Sequence, residues 1–354
     1  MKLAHYHIFR YRLPFVNLLT MMRKQMSHRE GFILKLESAN GAAGFGEVAP
    51  FPGLSKETLN EALEELRQAM SVLRNTAVDL SFPVIPFLLN DISASVLFGV
   101  ESAVLEMQAQ KQQTSVAKIL NPEAGEEVSV QALLFGDKND IFSQVERIIA
   151  AGFRCLKLKV RSEIDKEIDL VRNLRETVGD KISLRLDANR AWNFEQAIRF
   201  CTAVRGCNIE YIEEPLENAA DLSDLFDRTS VPFALDESLT WESAQNPNAG
   251  ITAFILKPGI HGGLSRIIQY INLAKNQKRL PVLSCPFYTA IGLNSMAQLA
   301  AAFIPPDQPI GLLTFDHFEN DLIHQPIQLA GDKLKLEALQ ANLNVDSDLL
   351  GRIE

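Results

Sequence analysis

Lys157-Leu158-Lys159, Asp187, Glu213, Asp236 and Lys257 are the residues of this sequence whose types and spacing suit one piece of chemistry. Each lies in or just past a short apolar run: CLKLKV, SLRLD, EYIEE, FALDE and FILK. Three carboxylates brought together repel one another unless a cation joins them. An all-oxygen set favours a hard ion, Mg²⁺ or Mn²⁺ in its place, with water or substrate completing an octahedron. Such an ion stabilises the second negative charge that develops on a carboxylate substrate when its α-proton leaves. A lysine can take that proton if burial or neighbouring positive charge lowers its pKa toward neutrality. The chemistry expected is therefore proton abstraction next to the carboxylate of a small-molecule substrate.

For these side chains to meet, strands must carry them to one place. Lys157 and Lys159 are two apart and share one face of a strand, with Leu156 and Leu158 on the other. Arg185 and Asp187 likewise share a face, opposite Leu184 and Leu186. From Glu126 onward, short apolar runs alternate with helical stretches. The eight strands expected are Val128–Phe135, Cys155–Val160, Ile182–Leu186, Ile209–Ile212, Pro232–Leu235, Ala253–Leu256, Pro281–Ser284 and Ile310–Phe315. This repeat, without a Gly-rich dinucleotide turn, predicts an α/β fold, a (β/α)7β TIM-like barrel. Barrel sites form where the strands end, so all six charged groups would face one mouth. A single acid or lysine at a strand end is more often a helix cap or a surface charge. Six of them on five successive strand ends is a different matter. Arg185 remains open at this point, as a substrate contact or as the ion-pair partner of a barrel carboxylate.

The first third reads as an α+β capping domain over residues 1–122, ahead of a barrel over 123–315 and a segment, 316–354, that packs back toward the cap. Strands are expected at Lys2–Arg12, Gly31–Glu37 and Gly44–Val48, with a Met-rich basic loop over Phe15–Arg29. Amphipathic spacing predicts a helix over Ser55–Thr76 with Ser55 as N-cap, and a second helix covers Ala94–Gln110. The Phe15–Arg29 and Val48–Leu54 segments are expected to close the mouth. With 354 residues, 47% of them hydrophobic and 22% charged, the chain reads as a soluble globular protein. Its net charge of −9 argues against nucleic acid or an anionic membrane as partner. Cys155, Cys201, Cys207 and Cys285 form no C-x-x-C pair and read as reduced thiols of a cytoplasmic protein.

With these residues in view, the sequence resembles the enolase superfamily and, within it, the muconate-lactonizing-enzyme-like subgroup. The K-x-K at Lys157–Lys159 and the motifs LRLDANRAW, YIEEP, LDESL and FILKP carry the resemblance. Within the subgroup, GFGEVAPFPGLSKET (Gly44–Thr58), RLDANRAW (Arg185–Trp192) and GLLTFD (Gly311–Asp316) are similar to the o-succinylbenzoate synthase family of menaquinone biosynthesis. The resemblance implies Asp187, Glu213 and Asp236 as Mg²⁺ ligands, Lys159 as the base and Lys257 as the cation facing the enediolate. It implies Lys157, Arg185, Ser284 and Gly292 as support and substrate contacts. The implied reaction is dehydration of 2-succinyl-6-hydroxy-2,4-cyclohexadiene-1-carboxylate. The stretch Ser284–Gly292 departs from the family pattern: Tyr288 or a neighbour stands where an acidic residue is expected. His261, in a Gly-rich turn, reads as structural. An N-acylamino acid racemase or dipeptide epimerase would use the same two lysines, but GLLTFDHF holds only one Asp where an epimerase would carry Asp-x-Asp. A catalytically dead scaffold is disfavoured by the intact lysines and carboxylates.

Overall fold

A computed structural model describes residues 1–354 except 22–23, 77–78, 90, 137, 325–326 and 342–348. The cap is built on a long antiparallel hairpin, β1 (Leu3–Met21) and β2 (Lys24–Ser38), with β3 (Ala43–Val48) on the far side of β2. The segment expected as a loop, Phe15–Arg29, is instead the outer part of this hairpin apart from 22–23, which lie outside the described residues. Pairing runs through Pro14↔His28, shifts register, and resumes at Leu19↔Met26. A bulge of this kind bends the strand without ending it, so the composition reads as loop while the backbone stays paired.

The helix Leu59–Asn75 takes its cap three residues later than expected. Thr58 caps it: its Oγ1 accepts from the Glu61 amide (3.3 Å), and Glu61 Oε2 accepts from the Thr58 amide (2.7 Å), a reciprocal capping box. Ser55 serves the preceding turn, where its Oγ accepts from the Phe51 amide (2.8 Å). The helix Ala94–Gln112 is buried on nearly every side, as a helix packed between two layers must be. One layer is the cap sheet, which approaches very closely at glycines. A Cβ on Gly46 would overlap the carbonyl oxygen of Gly99, and one on Gly44 that of Ala103. Gly46→Ala is therefore expected to cost about 1–3 kcal/mol, as overpacked cores do. It should lower the urea midpoint at unchanged slope; an unchanged midpoint would show that this contact is soft.

Seven strands form one parallel sheet in chain order: β5 (Ala132–Leu134), β6 (Cys155–Lys159), β7 (Ser183–Asp187), β8 (Ile209–Glu213), β9 (Phe233–Leu235), β10 (Ile251–Leu256) and β11 (Leu280–Leu283). The expected eighth strand, Ile310–Phe315, is reduced to two bridges. Ile310 pairs with Val130 and Gly311 with Ser284, and these close the barrel between its first and last strands. Beyond them, Phe315–His317 turns as a 3₁₀ helix. Of the tail, β12 (Leu329–Ala330) and β13 (Lys333–Lys335) add to β4 (Glu127–Ser129), while β14 (Gly351–Arg352) pairs with β1 of the cap at Phe9↔Arg352.

The alternation of the strands sorts their side chains. Leu156, Leu158, Leu184 and Leu186 join the large core under the barrel helices. Inside the barrel, Tyr211, Ala234, Ala253, Ile255 and Val282 form a small apolar floor. All four cysteines are buried and free, and no helix among the described residues is long and apolar enough to cross a membrane.

Candidate active site

The strand ends bring the expected residues into one cavity. Lys157, Lys159, Asp187, Glu213, Asp236, Lys257 and Ser284 all line it, and Leu54 of the cap faces them. Two ion-pair groups organise its floor. Lys157 Nζ lies 2.9 Å from Asp187 Oδ2 and donates to Glu213 Oε2 at 2.7 Å. On the other side, Lys257 Nζ reaches Asp236 at 2.5 Å. Burial works against charge on both lysines, but the carboxylates outweigh it. Asp187 and Glu213 hold Lys157 well above the ordinary lysine range, and Asp236 raises Lys257. Each of these two lysines is thus held in its charged form by the acids beside it.

Within these two ion-pair groups three carboxylates share two ammonium groups, and Lys159 and Glu237 line the same cavity. Glu213 is the least favourably placed of the three for holding a negative charge. Burial, then the neighbouring Asp187, pushes its carboxyl well above the usual range despite Lys157. Its Oε1 is buried without a hydrogen-bond partner. Asp236 shows the opposite balance: burial would raise it, yet Lys257 and Lys157 bring it below the ordinary value. Among the described residues no three acidic, thiol or imidazole groups stand ready in ligating geometry, since the lysines hold the carboxylates. The donor set, all oxygen and buried, fits a hard divalent cation.

Lys159 lies one pleat nearer the opening and is only partly buried. Its Nζ donates to Asn189 Oδ1 (3.1 Å), and Asn189 Nδ2 donates to Glu237 Oε1 (3.2 Å). Alone among the three cavity lysines, it has no ion pair with a carboxylate among the described residues. Burial, then Asp236, raises Glu237 to about 7. The turn carrying Asn189 and Arg190 has two consecutive residues at positive φ (42° and 60°). Its shape is fixed by the Asn189 amide on Asp187 Oδ1 (3.1 Å) and the Trp192 indole on the Arg161 carbonyl (2.7 Å).

Sequence reasoning missed Glu214, the second acid of YIEEP, which is fully buried at φ 43°. Its Oε1 accepts from the amides of Asp236 (2.7 Å) and Ser238 (2.8 Å), and its Oε2 from Arg190 Nε (3.0 Å). It thereby fixes the turn that presents Asp236. The doubled acid at a strand end was its only signal. Gln131, Asn189, Glu237, Phe287 and Thr314 also line the cavity without having been singled out.

Two expected substrate contacts are placed elsewhere. Arg185 is fully buried and lies below the mouth. Its guanidinium pairs with Glu210 (2.5 Å), donates to Gln131 Oε1 (2.6 Å) and the Pro309 carbonyl (2.7 Å), and lies over the Tyr211 ring. It is the ion-pair partner of a barrel carboxylate. Gly292 does not line the cavity. Its amide donates to Glu47 Oε2 (3.0 Å), and a Cβ there would press on that carboxylate and on Tyr288; the glycine makes room for Glu47. His261 is half-buried, and its Nδ1 accepts from the Lys257 amide (3.0 Å); desolvation takes its pKa down to about 4, so it serves as a neutral structural acceptor.

Comparison with known proteins agrees with this architecture. The family model described as Enolase C-terminal domain-like matches residues 140–339, and that described as MenC, N-terminal domain, matches residues 3–107. Protein PHYLLO, chloroplastic, of Arabidopsis thaliana is 30% identical over 304 residues, covering 77% of this chain; the chain spans only 18% of that protein's length. The o-succinylbenzoate synthase of Haemophilus influenzae is 27% identical over 328 residues, covering 90% of this chain and 92% of the relative. Among solved structures, a muconate lactonizing enzyme from Pseudomonas fluorescens superposes with a TM-score of 0.85 at 21% identity, covering 98% of each chain.

Proposed function

The chain belongs to the enolase superfamily, and on that premise we propose that it is a carbon–oxygen lyase with the activity of an o-succinylbenzoate synthase. The substrate is 2-succinyl-6-hydroxy-2,4-cyclohexadiene-1-carboxylate, and the products are o-succinylbenzoate and water. The observation that carries this reading is one cavity in which Lys159 and Lys257 stand with three buried carboxylates. The synthases among the relatives, matched over about nine-tenths of their length, support the substrate.

Asp187, Glu213 and Asp236 would hold Mg²⁺, or Mn²⁺ in its place, which when bound supplies positive charge to the substrate carboxylate as its enolate forms. Lys159 Nζ takes the proton from the ring carbon bearing that carboxylate, and the C–H electrons pass into the enolate. When they return to form the ring double bond, the neighbouring C–O bond breaks. The same Lys159 ammonium gives its proton to the departing hydroxide, so water leaves and the lysine is restored. Lys257 offers an ammonium to the developing charge, and Lys157 keeps Asp187 and Glu213 in place. Leu54, Leu133, Phe287 and Leu313 line the cavity with apolar surface that suits a carbocycle and keeps water away.

The racemase or epimerase reading needs the same lysines, and no observation on this cavity favours it. A direct assay decides: the cyclohexadiene should aromatise at a rate far above that of any N-acylamino acid racemisation. Chelation should abolish turnover and Mg²⁺ should restore it. Racemisation of an N-acylamino acid or dipeptide without aromatisation would overturn the proposal, and undiminished activity after chelation would overturn the metal's part in it. By the same reading the enzyme is cytoplasmic.

A further inference from the structure

We propose that Arg29 and Glu47 of the cap are positioning residues, which act by holding the loop Cys285–Thr289 so that the Phe287 ring walls the catalytic cavity. The proposal rests on the assignment of that cavity as the site of reaction.

Phe287 is mostly buried, lines the cavity, and has a φ of +56°, in the left-handed region that a bulky side chain enters only when its surroundings compel it. The compulsion comes from the cap. Arg29, 2% exposed, donates its Nε to the Phe287 carbonyl (3.2 Å) and its Nη1 and Nη2 to the carbonyls of Pro50 (2.8 Å) and Ala49 (2.5 Å). One guanidinium thus ties the strained residue to the segment that runs on to Leu54, while lying 5.2 Å from the centre of the Phe51 ring. The Phe287 ring is held in turn by Phe15, Phe51 and His317.

Glu47 fixes the other end of the loop. It is fully buried and accepts from Tyr11 Oη (2.5 Å), Thr289 Oγ1 (2.7 Å), and the amides of Thr289 (3.0 Å) and Gly292 (3.0 Å). Those amides open the helix Ala290–Phe303, whose N-terminus favours negative charge. At the same helix start Asp321 accepts from the Ala290 amide (3.0 Å). Neither Arg29 nor Glu47 lines the cavity, so any effect on the reaction passes through the loop.

The test is a double-mutant cycle on turnover of the cyclohexadiene. Arg29→Met should raise KM roughly tenfold, the size of a partly lost apolar contact, with kcat changed less than about threefold. In a Phe287→Ala background, where no ring remains to be placed, Arg29→Met should change KM less than about twofold while still lowering Tm. The same factor in both backgrounds would overturn the proposal. If Arg29→Met does not fold, Arg29→Lys and Glu47→Gln enter the same cycle. A parent chain that does not turn over the cyclohexadiene would overturn the functional reading alone. The positioning claim is then read from hydrogen exchange: the Tyr288 and Thr289 amides should exchange faster in Arg29→Lys and Glu47→Gln while those of β10 do not, and unchanged exchange would sink it.

Discussion

Lys159→Ala is expected to remove turnover almost completely while leaving Mg²⁺ binding in place. General acid–base groups contribute about 10²–10⁴ in rate, and Lys159 is assigned both the abstraction and the return of the proton. The expected loss therefore lies at or beyond the top of that range. The retention of metal binding follows from the geometry. Lys159 donates to Asn189, whereas Lys157 and Lys257 are the lysines that hold the carboxylates. Removing Lys159 leaves no buried acid without its partner, so the fold should be unaffected within the roughly 0.5 kcal/mol typical of such changes. Steady-state kinetics beside calorimetric titration of Mg²⁺ checks both halves. A variant that keeps more than a few per cent of its activity would remove Lys159 from the role of base.

The contrast among the three lysines also shows how far the sequence could be read. That Lys157 and Lys159 face inward follows from the two-residue period of a strand, and the structure places both in the cavity. The same period gave Arg185 its face but not its depth. Two residues before Asp187 is roughly 6.6 Å farther down the barrel, and at that level Glu210, Gln131 and the Tyr211 ring await it in place of the substrate. Height along a barrel axis depends on strand stagger, which no single strand's pattern records.

The cap was less legible than the barrel. Met and basic residues at 15–29 suggested a loop, because one face of this hairpin is solvated and its pairing partner lies in the same composition-biased stretch. Asn189, Glu237 and Phe287 sit in turns after strands, where no periodicity marks an inward side chain. Gly292 was noticed for its position in a motif. The reason for it, space for a carboxylate 245 residues earlier in the chain, exists only once the cap has docked.

Lys257→Ala separates the two roles a lysine can hold in this cavity. If Lys257 serves only as a cation opposite the developing charge, its loss should lower kcat by about 10²–10³, the cost of removing one such electrostatic group. It also leaves Asp236, buried, without its partner. In chelator the variant should therefore be destabilised by about 3–5 kcal/mol, as when one partner of a buried pair is removed. Saturating Mg²⁺ should recover much of that loss if Asp236 is a ligand, and thermal unfolding with and without Mg²⁺ measures it. The role itself is read from solvent deuterium exchange at the α-carbon of a bound N-acylamino acid. With Lys159 as the one base, Lys257→Ala retains residual exchange and Lys159→Ala retains none. If each variant instead exchanges one enantiomer and spares the other, both lysines are bases on opposite faces of the α-carbon. The cavity would then be that of a racemase, and the assignment of dehydration would fall with the one-base scheme.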